Sequence, residues 1–510
     1  MSPSPAGELA RAISTTMLPG FEGHTLPEWV ARRLREGMGG VCLFSTNIGS
    51  PEQVRQLTSD ILAANPDAVI AIDEEGGDVT RLHHEVGSPY PGNGILGRID
   101  DLELTRRVAE GVGAELHAVG CTMTFAPDAD INSNPNNPVI GTRSFGTDAG
   151  RVARHTAAWV EGIQAAGIAA STKHFPGHGD TANDSHLSLP VIDRSIDELR
   201  ERELEPFRAA IAAGTKSIMT SHILMPQIDP ELPATLSPTI LQVLLRGELG
   251  YDGVIVSDAL DMAGASALTG IPEAAVRAIS AGCDLLCIGT ANTDEQMGEI
   301  IAHVADAVAT GRLEDHRVLD AAERVLGLAE WKRTASTSRQ SPAAVAAMLA
   351  EPKLREDVRA SFSVREGVKL PVMSDGAETH LIVIESVPNA AVGHLPWGPQ
   401  AERHAVGPGA VWPNLTEHLV FDCDAEQLLA GIPSDDNVII VGQNHHRSEL
   451  NRKIIDTFRA RNADTLVVDM AWPSPDREYA DVATFGASRL AGRALIDLLS
   501  QPGTPTGDAR

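Results

Sequence analysis

Short apolar runs rich in β-branched residues recur along the chain at 40–44, 69–72, 122–125, 168–172, 217–220, 254–256 and 285–288. Between them lie stretches with helical spacing of apolar positions, at 51–64, 102–119, 149–166, 196–213 and 271–281. Alternation of this kind predicts an α/β fold, because parallel strands need crossover helices. Seven or eight such units in succession predict an N-terminal (β/α)8-like TIM barrel in preference to an open sheet. One strand of that barrel has no clear apolar run of its own.

Periodicity lapses at 334–342, TASTSRQSP, where Ser, Thr and Pro collect as in a linker. The expected organisation is a catalytic barrel over 1–335, a linker over 336–343 and a smaller three-layer α/β/α sandwich domain over 344–500. Strands at 380–384, 438–441 and 465–468 and helices at 451–460 and 487–499 carry the second domain. The last ten residues, QPGTPTGDAR, read as a disordered tail.

Charge narrows the choice of partner. With 41 Lys and Arg against 69 Asp and Glu, the formal net charge is −28, which disfavours nucleic acid or an anionic membrane and suits a neutral substrate. Five cysteines, at 42, 121, 283, 287 and 423, lie mostly in or beside apolar runs and read as packing thiols rather than disulfides or zinc ligands. The N-terminal stretch has no basic segment followed by an apolar one, and no run reaches about 18 apolar residues, so the expected location is cytoplasmic.

Chemistry concentrates in 173–186, KHFPGHGDTANDSH, which directly follows the predicted strand 168–172. Pro176, Gly177 and Gly179 read this stretch as a shaped loop at the C-terminal end of a barrel strand, where active sites are built. Lys173 and His174 are placed to donate hydrogen bonds to sugar hydroxyls, while His178 has a bland reading as a loop-satisfying histidine. Asp184 and His186 flank Ser185, close enough in a turn for the carboxylate to fix the imidazole's tautomer. After the strand 69–72 comes DEEGGDVTR, in which Asp73 is the candidate for accepting from two hydroxyls, with Arg81 reaching the same hydroxyls or holding the aspartate. Glu74, Glu75 and Asp78 read as acids at a helix start. The strand 254–256 leads into Ser257 and Asp258, and a carboxylate there can attack an anomeric carbon or, in the bland reading, cap the next helix. Met219 and His222, at another strand end, are candidates for lining the pocket, against a core methionine and a capping histidine. Gly111-Val112-Gly113 lies within a helical pattern and is set aside as a dinucleotide fingerprint. His445-His446 is set aside as a surface loop.

The segment KHFPGHG followed by Asp184-Ser185-His186 resembles the signature of glycoside hydrolase family 3, specifically its β-N-acetylhexosaminidase branch. The other motifs occur in the family's order across the first domain, and a looser match continues to ATFGAS at 483–488. The resemblance implies a retaining exo-acting β-N-acetylhexosaminidase with Asp258, rather than Asp261, as nucleophile and His186 as acid/base oriented by Asp184. It implies sugar binding by Asp73 and Arg81, and selects Arg143 in the loop 125–146 as a further contact, leaving Asp128 and Asp130 as loop supports. The implied substrate is a terminal β-linked N-acetylglucosaminide, with muropeptide, chitin fragment and glycan all open as aglycone and peptidoglycan turnover among the roles. No cofactor or metal is expected. Phosphate is a candidate acceptor beside water, since neutral His186 would not repel it. Two rivals remain from other classes. One is a metal-dependent barrel hydrolase using His174, His178, Asp180, Asp184 and His186; the other is a non-catalytic sugar-binding protein.

Overall fold

The computed structural model describes residues 5–182, 189–267, 269–335, 340–370, 378–385, 391–407, 412, 415–421, 425–433 and 436–500. Asp184 and His186, half of the expected linker (336–339), Cys423 and the last ten residues lie outside these.

Eight parallel strands form the first sheet: β1 (Met17–Leu18), β2 (Gly40–Leu43), β3 (Val69–Ile72), β4 (Met123–Thr124), β5 (Ala169–Phe175), β6 (Ser217–Thr220), β9 (Val254–Ser257) and β10 (Leu285–Cys287). Between β6 and β9 lies a small antiparallel hairpin, β7 (Leu224–Met225) and β8 (Asp229–Pro233). The order β1-β10-β9-β6-β5-β4-β3-β2 places the first two strands at opposite ends. They meet there, the Cys42 N–H donating to the Pro19 carbonyl at 2.9 Å, so the sheet curls into the expected barrel. The strand that sequence did not mark is β1, whose two residues are too few to show a period.

Side chains two apart on a strand share a face, and Val69 with Ala71, Val254 with Val256, and Leu285 with Cys287 fill one buried core together with Leu18, Cys42, Met123, Phe125, Ala169 and Met219. The crossover helices follow ordinary signals. The helix Pro51–Ala64 has Ser50 accepting from the Gln53 N–H and proline at its first position. The stretch read as one helix over 196–213 is two, Ile196–Glu201 and Glu205–Ala212. Pro206 explains the break, since a proline is tolerated in a helix's first turn and not in its interior.

The second sheet contains β11 (Ser363–Val364), β12 (Thr379–Ile384), β13 (Leu415–Val420), β14 (Asn437–Gly442), β15 (Leu466–Asp469) and β16 (Val482–Ala483), in the order β11-β16-β15-β14-β12-β13. Only β11 runs antiparallel to its neighbour. Strands β12 and β15 are buried along their whole length, and β14 nearly so, as befits strands covered on both faces. Ile382, Ile384, Val438, Ile440 and Val467 pack with Ile454, Ile455 and Phe458 of the helix Glu449–Arg461. This is the α/β sandwich that the sequence predicts.

Contacts divide the chain into two compact units, one of 1–75, 102–140 and 146–345, the other of 76–101, 141–145 and 346–510. Thus the loop after β3, from Gly76 onward, and a short piece of the loop after β4 belong to the second unit. Among the described residues no helix is long and apolar enough to cross a membrane. Cys42, Cys121, Cys283 and Cys287 are free and buried, and burial pushes the Cys121 thiol up to about 12.

Candidate active site

The C-terminal ends of β3, β5, β6 and β9 carry the candidate residues of the first unit. Strand β5 runs further than its apolar pattern suggested, through Lys173 and His174 to Phe175, with its register against β6 shifting between Thr172 and Phe175. The loop after β4 extends the ladder beside it: the Lys173 N–H donates to the Pro127 carbonyl at 3.0 Å and the Ala129 N–H to the Lys173 carbonyl at 2.6 Å. That main-chain pairing sets Asp130 against His174.

Lys173 is 2% exposed, and its ammonium donates to Asp73 at 2.8 Å and lies 2.7 Å from Glu75. Two carboxylates therefore hold this buried ammonium in place. No helix begins at Glu74 to Asp78, contrary to the reading of these acids as a helix start; the next helix is Asn93–Ile99. Glu75 was read as a dipole acid and is instead the second partner of Lys173. Nothing local marks that role.

His174 meets Asp130 through Nδ1 at 2.7 Å. Asp130 also accepts from the His178 N–H at 2.6 Å. Burial pushes the Asp130 carboxyl up, but the His174 ring and the His178 N–H outweigh it and hold the group below its usual range. His178 is fully buried, its Nδ1 lying 2.9 Å from Thr181 Oγ1 and its carbonyl accepting from Asn137 Nδ2 at 2.8 Å. Burial, with the His174 ring adding to it, drops its pKa to about 4. His178 therefore holds the loop.

The glycines of this loop have steric reasons. A Cβ on Gly179 would fall 1.6 Å from the Ile131 carbonyl oxygen, and Gly177 has a φ of +132° beside the side chain of Glu203. Glu203 is 2% exposed, and Arg202 donates to its Oε1 at 2.6 Å. Burial pushes it up to about 7 against the pull of Arg202, with Asp130 and Asp180 adding to the rise.

Asp258 is the first residue beyond β9. Its N–H points to Thr220 Oγ1 at 3.4 Å, and its Oδ1 accepts from the Ala259 N–H at 2.8 Å. The next helix starts only at Ala263 with Met262 as its cap residue, so Asp258 is not a helix cap. Asp261 is exposed and turned toward Gly289 and the Thr290 N–H. Met219, 4% exposed, packs in the barrel core.

Of the residues grouped as metal ligands on one loop, Asp180 accepts instead from Arg194 at 2.9 Å and Arg202 at 3.0 Å. Among the described residues the set with ligand atoms within 4.8 Å of one another is Asp128, Asp130 and His174. In that set His174 and Asp130 are already joined by a hydrogen bond.

In the second unit, the Arg81 guanidinium donates to the Ala391 carbonyl at 2.7 Å and the Val392 carbonyl at 3.3 Å. Arg143 closes a single 3-10 turn, Gly141–Arg143, and its carbonyl accepts from Asn93 at 2.6 Å. Asp78 accepts from Thr142 Oγ1 at 2.7 Å and from the Ala487 N–H at 2.9 Å. His445 is not in a surface loop: it is fully buried, with Nε2 3.1 Å from the Val468 carbonyl.

The family model for the glycosyl hydrolase family 3 N-terminal domain matches residues 21–328. The chain belongs to glycoside hydrolase family 3. Among curated relatives, β-hexosaminidase A of Pseudoalteromonas piscicida is 34% identical over 413 residues, covering 75% of this chain and 67% of its own length. A β-hexosaminidase of Stenotrophomonas maltophilia strain K279a is 40% identical over 259 residues, covering 50% of this chain and 76% of its own. Among solved structures, a family 3 β-N-acetylglucosaminidase from Paenibacillus sp. str. FPU-7 superposes with a TM-score of 0.84 at 30% identity over 98% of both chains. The likeness to family 3 therefore extends through both units.

Proposed function

We propose that this chain is a retaining β-N-acetylhexosaminidase that removes terminal β-linked N-acetylglucosamine from small soluble glycosides. One observation carries the reading: Asp258 stands just past β9 on the barrel end that also bears the Asp73–Lys173 pair and His174, in a family 3 chain whose similar relatives are named β-hexosaminidases. Asp73 accepts from sugar hydroxyls while Lys173 and His174 donate. The assignment of Arg81 and Arg143 to substrate rests on the resemblance in sequence, and that of Met219 on its place at the end of β6.

In the first step an Asp258 oxygen bonds to the anomeric carbon, and the glycosidic C–O bond breaks with its electron pair passing to the leaving oxygen. His186, as imidazolium, protonates that oxygen, which leaves a glycosyl ester and a free alcohol. In the second step an acceptor oxygen bonds to the same carbon, the ester bond returns its pair to Asp258, and neutral His186 takes the acceptor's proton. Asp184 orients the ring throughout. Two displacements at one carbon retain its configuration.

Water is the acceptor favoured here. Lys173 is matched by two carboxylates, Asp73 and Glu75, so its charge is not at the disposal of an anion. Phosphate is the second reading, supported by the neutrality of His186 at the stage when the acceptor enters. Product analysis on N-acetylglucosaminides with and without millimolar phosphate tests both. Free N-acetylglucosamine with the β configuration at first release is the expected product. N-acetylglucosamine 1-phosphate would move the assignment to a phosphorylase, and no turnover on any N-acetylglucosaminide would sink it.

A further inference from the structure

We propose that His222 and Thr235 are positioning residues for Asp258, holding the turn that carries it through a closed and directional ring of hydrogen bonds. The inference rests on the reading of Asp258 as nucleophile. All the side chains involved besides Asp258 are fully buried: Thr220, His222 and Thr235 are each 0% exposed.

The direction of the ring follows from what each atom can do. The Ala259 carbonyl only accepts, and His222 Nε2 lies 2.9 Å from it, so Nε2 carries the ring's proton. In the neutral ring Nδ1 is then an acceptor, and Thr235 Oγ1 is 2.9 Å away. Thr235 has a single hydroxyl proton and a competing acceptor, the Ser221 carbonyl, also at 2.9 Å. That carbonyl also accepts from the Thr235 N–H at 3.1 Å, so it stays satisfied when the hydroxyl turns to His222 Nδ1, an acceptor in this tautomer. Thr220 Oγ1, 2.7 Å from Thr235 Oγ1, therefore donates to it and offers its lone pair to the Asp258 N–H at 3.4 Å. The chain runs from the N–H of Asp258 through two hydroxyls and an imidazole to the carbonyl of Ala259, so both main-chain groups flanking the peptide between these residues are tied to one rigid frame.

Three segments supply this frame: Thr220 ends β6 with His222 just beyond it, Thr235 lies after the hairpin of β7 and β8, and Asp258 follows β9. Tying them fixes the position of the nucleophile relative to β6, where a flexible post-strand turn would not. A carboxylate attacking carbon needs its oxygen held close and in line, and an error near 1 Å in such placement costs on the order of 100-fold in rate.

The test measures single-turnover glycosylation with an activated aryl N-acetylglucosaminide, together with product-inhibitor binding, for Thr235→Val, His222→Phe and the conservative Thr235→Ser. Thr235→Val keeps size and burial while removing the hydroxyl, so it folds even where His222→Phe does not. Glycosylation in Thr235→Val is expected to slow by about 10- to 100-fold with N-acetylglucosamine affinity held within about twofold, and Thr235→Ser is expected to recover most of the rate. Wild-type glycosylation in Thr235→Val overturns the inference, as does a loss shared equally by glycosylation and N-acetylglucosamine binding. Fluorosugar labelling of the wild-type enzyme separates the two levels. A label on Asp258 with an unimpaired Thr235→Val rejects the ring alone, whereas a label elsewhere rejects the nucleophile and the ring together.

Discussion

Lys173 and Glu75 form an ion pair of 2.7 Å in which each side chain is only 3% exposed. With Asp73 on the same ammonium, one cation balances two acids. Removing the cation takes a charged partner from both. Lys173→Met is therefore expected to cost about 3–5 kcal/mol in urea unfolding, the usual penalty for an uncompensated buried charge. Adding Glu75→Gln to Lys173→Met should return part of that loss, giving a clear coupling in a double-mutant cycle. Strict additivity of the two substitutions would mean that the pair contributes nothing as a pair.

Stability against pH contains two opposed contributions beneath the loop 176–182. Glu203 is raised from 4.5 to about 7, so its contribution is complete below 4.5 and is lost as pH rises through about 7. His178 is lowered from 6.5 to about 4, so its contribution is present above 6.5 and lost as pH falls through about 4. Each corresponds to roughly 3 kcal/mol, and over the shared window they nearly cancel. Glu203→Gln removes one side of the balance. Its unfolding free energy should climb with pH across that window and exceed the wild-type value near neutrality, with little difference at the acid end. Parallel curves for the two proteins would contradict this account of Glu203.

His186→Ala should slow substrates with poor leaving groups far more than activated aryl glycosides, because only the former need a proton in the transition state. Asp184→Asn should show the same selectivity in milder form. Rates falling by one common factor across a leaving-group series would reduce His186 to a binding role.

Much of the barrel is legible in sequence because its strands are short buried runs with helices between them. Where legibility failed, the cause is specific. Strand β1 has two residues and borrows its place from the hydrogen bonds of β10 and β2. Strand β13, Leu415–Val420, lies at a sheet edge with mostly half-exposed or exposed side chains, so no apolar run announces it. Pro206 was visible, yet only the structure shows that it starts a second helix. At the site, Asp73, Lys173 and Asp258 were legible as residues at strand ends. Their partners were not, since Lys173 and Asp73 are 100 positions apart and the Thr235 hydroxyl reaches His222 only because a hairpin folds back between them. Glu75 was misread for the same reason: an acid among acids shows its partner only in three dimensions.

The most direct measurement of the central claim is mass spectrometry after incubation with a slowly hydrolysed N-acetylglucosaminyl fluorosugar. The account predicts one sugar attached to the peptide spanning Ser257 to Met262, fragmenting to place it on Asp258, with no label and no turnover in Asp258→Ala that retains the wild-type circular dichroism spectrum. A label on Asp261, or oxazoline release with no labelled peptide, would contradict it.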